Sequence, residues 1–485
     1  MSQIKYNNAK QIVREVMVRI ARGVLEDNLI ETIDRIPLDM CPSSKEAVRC
    51  CIYKDRAVVK YRCMAVLGMP TEEETDELTP LSDYARQALK GQFSDKRLLT
   101  ILDVACSMCQ KAHYYITNAC KGCTARPCTL ICPKKAVHIR NGQAEIDMAN
   151  CINCGRCLSA CPYHAIVHIP VPCEQACPVQ AISDNEQGSK VINKDRCIMC
   201  GKCLGACPFG AIMECSQIVS VLKCLKEHRH VTALPAPSLA GQFRADWERV
   251  KASLYRLGFD HVIEVAHGAD MTSQHEAAEL KKKLAQGQPF MTTSCCPTYF
   301  QAVKKHFPDL TEFVSETPTP MQYAGQLAKK ENPETVTVFI GPCPAKRAEA
   351  AESEVIDYVL TFEELGAILV AAEIMPDEVD ELAPAGTPPS DNARRFAIAG
   401  GVADAVIQAS DNPAALVPVQ ITGINRANIA LLRQYAEGKC PGNIVEVLAC
   451  EGGCVGGPCT LQNSKIAKQF IEKQTSSAKL KTDNK

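Results

Sequence analysis

The chain has 485 residues, which is too long for one ordinary hydrophobic core and predicts two to four domains. A formal net charge of -1 and a hydrophobic content of 46% fit a soluble globular protein and give no electrostatic reason to expect nucleic acid as a partner. The first residues carry charges throughout and no later segment approaches eighteen uninterrupted apolar residues, so we expect no secretory signal, no membrane partner and a cytoplasmic location.

Cysteine is the strongest compositional signal. The sequence holds 29 cysteines, and in a reducing cytoplasm few of them should form disulfides. Most must therefore bind metal, take part in chemistry or lie buried. We expect an iron-sulfur protein from an anaerobic or nearly anaerobic cell.

Residues 1–100 predict a helical N-terminal region, because apolar positions such as Ile12, Val16 and Ile20 recur at helical spacing. This region also contains the segment R-C-C-I-Y-K-D-R-A. Its doublet Cys50-Cys51 has no companion at metal-ligand spacing, so we expect both cysteines to be buried structural residues.

Residues 101–215 contain two segments with the spacing of bacterial ferredoxins, C-I-N-C-G-R-C-L-S-A-C-P and C-I-M-C-G-K-C-L-G-A-C-P. In that arrangement three close cysteines hold one [4Fe-4S] cluster and the fourth crosses to another cluster. Zinc sites usually pair two C-x-x-C units and need no third cysteine before a crossing C-P. The predicted ligands are Cys151, Cys154, Cys157, Cys161, Cys197, Cys200, Cys203 and Cys207. We expect Cys207 to complete the first cluster and Cys161 the second.

A further cluster is predicted upstream, where C-K-G-C-T-A-R-P-C-T-L-I-C-P has the same plan with a longer second gap. Its candidate ligands are Cys120, Cys123, Cys128 and Cys132, and the half motif P-C-E-Q-A-C-P adds Cys173 and Cys177. The first three could be completed by Cys132 or by Cys177, and a nested exchange with the later motifs would reassign the crossing cysteines. Cys106 and Cys109 could be ligands or a redox-inert pair. Two or more accessory clusters would carry single electrons.

Residues 216–462 have the composition of an α/β protein, with predicted strands at V-T-V-F-I (336–340), F-A-I-A-G (396–400) and N-I-V-E-V-L-A (443–449). Each strand leads into a glycine or cysteine motif, and open α/β sheets place ligands beyond the carboxyl ends of their strands. We expect the C-terminal tail, 463–485, to be frayed.

Three motifs in this half carry thiols at the ends of predicted strands: T-S-C-C-P (293–297), G-P-C-P-A-K-R-A-E (341–349) and A-C-E-G-G-C-V-G-G (449–457). Together they resemble the signature of the [FeFe]-hydrogenases. The likeness extends to A-P-S-L, G-A-D-M-T and A-G-G-V and covers roughly residues 230–460. The N-terminal part is similar to the divergent ferredoxin-bearing branch often called group B.

The resemblance implies an α/β catalytic domain with the H-cluster between two lobes, joined to an α+β ferredoxin-like module and the helical N-terminal region. By position, Cys296, Cys343, Cys450 and Cys454 would bind the [4Fe-4S] half of the H-cluster. Cys454 would also bridge to a two-iron unit that bears CO, cyanide and a dithiolate amine.

The resemblance further implies that Cys295, left free by its neighbour, exchanges protons with the amine, and that Lys346 directs its charge at a cyanide ligand. A proton path would run through Cys295, Glu279, Ser315 and Glu276 in that order. The two glutamates share one helix face at i, i+3 spacing.

The chain departs from the family pattern near the predicted two-iron unit. The family more often has Met at positions 341 and 448, Gln at 321 and Trp at 299, where this chain has Gly341, Leu448, Met321 and Tyr299. At positions 458 and 459 this chain has Pro458-Cys459, where the family has Gly-Gln. These changes alter packing and polarity but leave the four predicted ligands intact.

The resemblance implies an iron hydrogenase that catalyses the reversible conversion of two protons and two electrons into H2. Its partners would be ferredoxin or a similar soluble electron carrier and the hydrogenase maturation proteins. One alternative is a hydrogen-sensing or regulatory protein with slow turnover. Another is an iron-sulfur assembly protein that has the fold without the two-iron unit.

Overall fold

The N-terminal region consists of helices that pack onto the rest of the chain. In the computed structural model, which describes residues 7–93, 98–109, 111–382 and 387–482, Val16 and Ile20 are fully buried in a core shared with the C-terminal half. The helices are α1 (Asn8–Leu25), α2 (Leu29–Thr32), α3 (Ile36–Met40), α4 (Ile52–Val66) and α5 (Leu81–Leu89). The prediction that Cys50 and Cys51 are buried is wrong, since both are exposed in the open segment just ahead of α4.

Residues 99–214 form two small antiparallel units, each with two strand pairs and two short helices. Their elements are β1 (Leu99–Ile101), β2 (His113–Ile116), α6 (Pro127–Leu130), β3 (Val137–Arg140), β4 (Gln143–Ile146), α7 (Arg156–Ala160), β5 (Ile166–Ile169), α8 (Pro172–Ala176), β6 (Ile182–Asp184), β7 (Lys190–Ile192), α9 (Lys202–Ala206) and β8 (Ile212–Glu214). In the inner unit β2 pairs with β5 and β3 with β4. In the outer unit β1 pairs with β8 and β6 with β7. The inner unit is therefore inserted into the outer one.

The C-terminal half is built on two parallel sheets covered by helices. Its elements are α10 (Ile218–Lys226), β9 (Val231–Pro235), α11 (Trp247–Leu257), β10 (His261–Val262), α12 (Val265–Ala285), β11 (Met291–Thr292), α13 (Pro297–His306), α14 (Pro320–Glu331), β12 (Val336–Gly341), α15 (Ala345–Ala351), β13 (Tyr358–Thr361), α16 (Phe362–Ala371), α17 (Asp391–Arg394), α18 (Gly401–Ala409), β14 (Pro418–Thr422), α19 (Arg426–Ala436), β15 (Ile444–Leu448) and α20 (Ser464–Thr482). One sheet has the order β10-β9-β12-β13 and the other β11-β15-β14, and every pairing within them is parallel. β12 and β15 are buried at every position, and their sequences are mainly apolar, with Thr337 and Glu446 as the polar exceptions.

Two predicted elements differ from the structure. F-A-I-A-G is not a strand: Arg395–Ala397 is a 3₁₀ turn that leads through a loop into α18. The reason is steric, because Gly400 has φ +92° and Gly401 packs so closely on the carbonyl of Arg395 that a side chain there would collide with it. The backbone folds back on itself and cannot extend.

The tail predicted to be frayed is helical as far as the structure describes it. Ala467 and Ile471 of α20 are buried at i, i+4 spacing, and Ala467 packs against Gly241. This apolar stripe docks the helix, which composition alone did not reveal. In the described ranges no helix has the length and apolar character needed to cross a membrane.

Candidate active site

Three loops bring the predicted H-cluster cysteines together at the carboxyl ends of parallel strands. The first loop follows β11 and carries Cys295 and Cys296, the second follows β12 and carries Cys343, and the third follows β15 and carries Cys450 and Cys454. Because β12 belongs to one sheet and β11 and β15 to the other, the loops meet between the two lobes. Parallel sheets commonly place their ligands at this end.

A cavity lies where the three loops meet. All four predicted ligands line it, and so do Cys295 and Lys346. Most of the remaining wall is apolar and includes Val265, Ala269, Met321, Phe339, Phe396 and Leu448. Such a lining excludes water, so charges inside the cavity interact strongly with one another.

The four thiols influence one another electrostatically. Burial, followed by the nearby thiols of Cys296 and Cys454, raises the pKa of Cys343 to about 12. Burial is also the main cause that raises the pKa of Cys454 to about 12. The pKa of Cys450 is raised by burial and then by the thiols of Cys343, Cys454 and Cys296. Four buried thiols at such close range need cations to become thiolates together, and a metal cluster supplies them.

Two of the thiols sit at helix N-termini. Cys296 is the N-cap of α13, with Pro297 as the first helical residue, and Cys343 directly precedes Pro344, the N-cap of α15. The backbone N–H of Ala345 also favours the Cys343 thiolate. Free N–H groups and the helix dipole stabilise negative charge at this end of a helix.

The glycines between Cys450 and Cys454 allow a tight turn. Gly452 and Gly453 have φ values of +79° and +98°, and a Cβ on Gly453 would lie 2.7 Å from the carbonyl oxygen of Ala397. A side chain at 453 would therefore push the third loop off the segment at 397–399.

Lys346 is the second residue of α15, and it lines the cavity. Its Nζ donates to Glu349 Oε2 at 2.7 Å and lies 5.8 Å from the centre of the Phe339 ring. Burial opposes the charge, but Glu349 and the thiols of Cys295 and Cys343 outweigh it and raise the pKa of Lys346. The cavity therefore contains a cation beside its thiols.

The residues of the predicted proton path are connected in the structure. Glu276 on α12 is fully buried, and its Oε1 accepts from the backbone N–H of Ser294 at 2.8 Å and from its hydroxyl at 3.0 Å. The charge of Glu276 raises the pKa of Cys295, after the larger effect of burial. The Ser315 hydroxyl lies beside Glu276 and donates to Glu279 Oε2 at 2.7 Å.

The predicted order of the path is wrong at two positions. Glu276 is the inner carboxyl next to Cys295, and Glu279 is the outer one, where it also accepts from Thr317 Oγ1 at 2.8 Å and pairs with Lys283 at 3.0 Å. The structural order is Cys295, Glu276, Ser315 and Glu279. Spacing along α12 puts both carboxyls on one face but does not say which is nearer the cavity.

The two carboxyl groups have opposite pKa shifts. Burial raises the pKa of Glu276 to about 7. Burial would also raise the pKa of Glu279, but the backbone N–H of Glu316 and three side-chain donors outweigh it and lower that pKa. At neutral pH the inner carboxyl is therefore close to half protonated while the outer one is ionised.

The cavity also contains an unpaired donor that the sequence analysis did not assign. Ser238, in the A-P-S-L segment, is 1% exposed and lines the cavity, and its Oγ has no hydrogen-bond partner in the part of the chain that the structure describes. A buried hydroxyl is rarely left unpaired. With the thiols and Lys346, it fits an inorganic group that carries anionic ligands.

Comparisons with known proteins agree with this site. A family model described as the C-terminal domain of the iron-only hydrogenase large subunit matches residues 229–458. The periplasmic [Fe] hydrogenase large subunit of Nitratidesulfovibrio vulgaris is 30% identical over 375 residues, which cover 85% of that protein and 64% of this chain. The chain belongs to the iron-only hydrogenase family. The predicted family, fold class and oxidoreductase activity are confirmed.

Other relatives of this iron-only hydrogenase match longer or shorter parts of the chain. Iron hydrogenase 1 of Clostridium pasteurianum is 26% identical over 78% of this chain and 75% of its own length. The NADP-reducing hydrogenase subunit HndD of Solidesulfovibrio fructosivorans is 27% identical over 64% of this chain and 56% of its own length. A solved structure of [FeFe]-hydrogenase HydA1 from Chlamydomonas reinhardtii is 20% identical, covering 52% of this chain and 88% of that one, with a TM-score of 0.42. A model of the LdpA Fe-S cluster-binding domain matches twice, at 118–170 and 167–218.

Three sets of accessory cysteines lie close together in the hydrogenase. Burial raises the pKa of Cys128, and two backbone N–H groups partly oppose this effect. The thiols of Cys161 and Cys123 lie near enough to Cys128 to raise its pKa as well. The thiols of Cys151 and Cys154 likewise lie near enough to Cys157 to raise its pKa. In the outer unit the thiols of Cys197, Cys200 and Cys203 lie near Cys177.

These neighbours correct the predicted crossing pattern. Cys161 lies beside Cys128 and Cys177 beside Cys200, so the prediction that Cys161 and Cys207 exchange between the two longest motifs is wrong. The expectation that Cys132 or Cys177 completes the Cys120–Cys128 group is also wrong. Cys161 and Cys177 thus each lie next to cysteines of the other half of their own unit, and the two halves of each unit are joined by paired strands.

No three Cys, His, Asp or Glu side chains in the described ranges converge closely enough to hold a single metal ion. A cubic cluster instead takes each thiolate on a different iron, so its ligands stand apart. The outer unit also touches the active site: a Cβ on Gly201 would lie 2.7 Å from Pro458 Cγ and 3.1 Å from Pro344 Cγ. Cys200 is close enough to Cys450 to raise its pKa.

Proposed function

We propose that this protein catalyses the reversible conversion of two protons and two electrons into H2 at an H-cluster. One observation carries the proposal: a single cavity is lined by four cysteines from three loops, by a fifth cysteine beside them and by a lysine whose side chain is only 12% exposed. An electron-transfer protein needs only the four ligands. The fifth thiol and its connected carboxyls add a route for protons.

The proposed ligands of the [4Fe-4S] half are Cys296, Cys343, Cys450 and Cys454, with Cys454 shared with the two-iron unit. When bound, this group supplies an electron-poor iron and a basic amine between which H2 can be split heterolytically. Lys346 and the unpaired Ser238 hydroxyl are the proposed donors to its anionic ligands, because both line the cavity.

Proton transfer is the proposed task of Cys295, Glu276, Ser315 and Glu279. Glu276 has a pKa of about 7 and a second oxygen without a hydrogen-bond partner among the described residues, so it can accept a proton at neutral pH or donate one. The Ser315 hydroxyl can then pass a proton on to Glu279, which is partly exposed. The proposed order runs from Cys295 at the cavity to the partly exposed Glu279. Its Ser315–Glu279 step is a hydrogen bond, and Ser315 also lies beside Glu276.

Electrons are proposed to arrive from an acidic one-electron carrier such as ferredoxin. Within 111–170, which includes the inner unit, only Glu145 and Asp147 are acidic, whereas the basic side chains are all exposed. These are Lys111, Lys121, Arg126, Lys134, Lys135, Arg140 and Arg156. Positive charge around a cluster steers negatively charged partners towards it.

Two measurements on anaerobic protein made with the hydrogenase maturation proteins test the proposal. The infrared spectrum should contain CO and cyanide bands, and their absence would leave an assembly or scaffold protein as the better description. Cys295→Ala should keep these bands and lose most H2 turnover. Turnover at the wild-type rate in that variant would exclude a proton-transfer role for Cys295.

The second candidate function is a hydrogen sensor with slow turnover. The composition of part of the cavity wall supports it. Met321 and Leu448 line the cavity at two of the positions where the sequence departs from the family pattern. Altered packing around the two-iron unit can lower turnover without changing the ligands. Turnover with a saturating reductant distinguishes the two candidates, because a sensor binds H2 but produces little.

A further inference from the structure

We propose that Cys106, Cys109, Cys173 and Cys207 bind a fourth accessory [4Fe-4S] cluster, whose ligand motif is split by the inserted unit. The two family models that match the chain do not cover Cys106 or Cys109, because their matches begin no earlier than residue 118. The sequence leaves open whether these two cysteines are ligands. The backbone, the topology and the thiol positions decide the question independently of the H-cluster.

Four turns with one backbone conformation each contain a crossing cysteine. Each has the sequence C-P-x-x-A, with the fourth residue at positive φ and its N–H bonded to the cysteine carbonyl. The four cysteines are Cys132, Cys161, Cys177 and Cys207. In three turns the alanine N–H also donates to the cysteine sulfur, at 3.1 to 3.5 Å. Four crossing cysteines require four clusters.

Four C-x-x-C turns also share one conformation. In each, the residue before the second cysteine has a left-handed backbone, with φ of 45° at Met108, 58° at Gly122, 53° at Asn153 and 57° at Met199. Methionine, which occupies this position in two of the four turns, rarely adopts a left-handed conformation. Cys106 and Cys109 therefore lie in the same turn as the cysteine pairs that belong to the other three clusters.

The strand topology supplies the third cysteine of the set. The outer unit runs β1, α8, β6, β7, α9, β8, and the inner unit runs β2, α6, β3, β4, α7, β5, with the same strand pairings. Cys128 lies in α6 at the position that Cys173 holds in α8, directly after a proline. Cys173 is thus the continuation of the Cys106–Cys109 pair, displaced along the sequence by the insertion.

The thiols of this set are neighbours. Burial raises the pKa of Cys109, and the thiols of Cys106 and Cys207 raise it further. Burial raises the pKa of Cys173 to about 11, with the Cys207 thiol as the next cause. The Cys207 thiol raises the pKa of both Cys109 and Cys173, so it lies near both. It completes the set from the opposite half of the outer unit.

The position of this cluster gives it a role. The chain leaves the outer unit just after Cys109 to form β2, and returns from β5 just before Cys173. Both connections to the inner unit therefore begin at ligands of the split cluster. We infer that it passes electrons between the inner unit and the Cys197–Cys203 cluster next to the H-cluster.

Iron and spin counts test the proposal on full-length protein made without the maturation proteins, so that the result does not depend on the two-iron unit. Cys109→Ala and Cys173→Ala should each lose about four irons per chain and one reduced-cluster spin. Cys440→Ala, a cysteine outside every set, should lose none. Wild-type iron and spin counts in both variants would overturn the proposal.

The wild-type protein provides a second measurement if a variant fails to fold. Anaerobic reconstitution followed by iron quantitation and EPR of the dithionite-reduced protein should reveal four accessory clusters besides the H-cluster cube. Three accessory clusters with all other ligand sets filled would also overturn it. Neither result depends on whether the protein turns over H2.

Discussion

Glu276 shows how one buried carboxyl links function to stability. Its pKa of about 7 in the folded protein lies above the ordinary value of 4.5. Between these two values the unfolded chain has released its proton while the folded protein keeps it. Folding stability therefore falls as pH rises from 4.5 to 7 and stays lower above that.

We predict that Glu276→Gln stabilises the protein above pH 7, by at most about 3 kcal/mol, while it abolishes most turnover. The amide keeps an oxygen for the Ser294 donors but carries no charge. Anaerobic thermal melts at pH 5 and pH 8 measure the effect. Glu279→Gln is the matched control, because the pKa of Glu279 is lowered and its substitution should destabilise the protein at neutral pH. Equal effects of the two substitutions on stability would contradict the opposite pKa shifts of Glu276 and Glu279.

Gly341 illustrates a different constraint at the residue scale. A side chain at this position would collide with the ring of Phe339, which lines the cavity in the space that a residue at 341 would otherwise enter. The ring also lies under the Lys346 ammonium group. Phe339 therefore takes over part of the wall that the family more often builds from methionine.

Gly341→Ala should destabilise the protein by about 1–3 kcal/mol through overpacking. In a Phe339→Leu background the same substitution should cost much less, because the smaller side chain leaves room. A double-mutant cycle of melting temperatures measures this coupling. If the two costs simply add, the ring is not what excludes a side chain at 341.

At the scale of elements, α15 connects the active site to the outer unit. Lys346 faces the cavity, whereas the next residue, Arg347, is buried and donates to Glu214 of β8 at 2.9 Å and to Glu364 of α16. It also donates to the carbonyl of Cys215 at 3.0 Å. One short helix thus holds a cation beside the cavity on one side and joins β8 of the outer unit to α16 on the other.

Arg347→Met should destabilise the protein by about 3–5 kcal/mol, because Glu214 and Glu364, which are both buried, lose their cationic partner. Adding Glu214→Gln should recover part of the loss, since one of the carboxylates is then neutral. Arg256→Met, at an exposed position of α11, should change stability by less than about 0.5 kcal/mol. Denaturant melts under anaerobic conditions provide the comparison, and no recovery in the double variant would show that Glu214 is not the unpaired charge.

Sequence reasoning succeeds for elements and motifs whose spacing is local. The strands before Cys343 and Cys450 were predictable because short, mainly apolar runs rich in Val and Ile end at the motifs. The order of Glu276 and Glu279, the partner of each crossing cysteine and the Arg347 network were not, because each depends on which distant segments face one another. F-A-I-A-G was predicted as a strand because its apolar pattern does not reveal the close approach of Gly401 to Arg395.

At the scale of the whole molecule, the clusters and charges are arranged in sequence from surface to active site. The inner unit carries the exposed basic side chains, the outer unit contacts Pro344 and Pro458 beside the H-cluster loops, and the catalytic lobes close around the cavity. Electrons would thus enter at one end of the molecule. Protons would leave through the face where Ser315 and Glu279 lie.

This arrangement predicts that charge on the inner unit controls the partner and not the chemistry. Lys121→Glu with Lys134→Glu should raise the KM for an acidic ferredoxin several-fold to about tenfold, because the steering charge is reversed. The rate with a small viologen reductant at saturation should stay the same. Lys439→Glu, an exposed lysine on the catalytic half that is 67% accessible, is the matched control and should change neither value. The KM difference between variant and wild type should shrink as ionic strength rises, since salt screens exposed charges over about 10 Å at 0.1 M. A KM that responds equally to both sets of substitutions would place the carrier elsewhere on the surface.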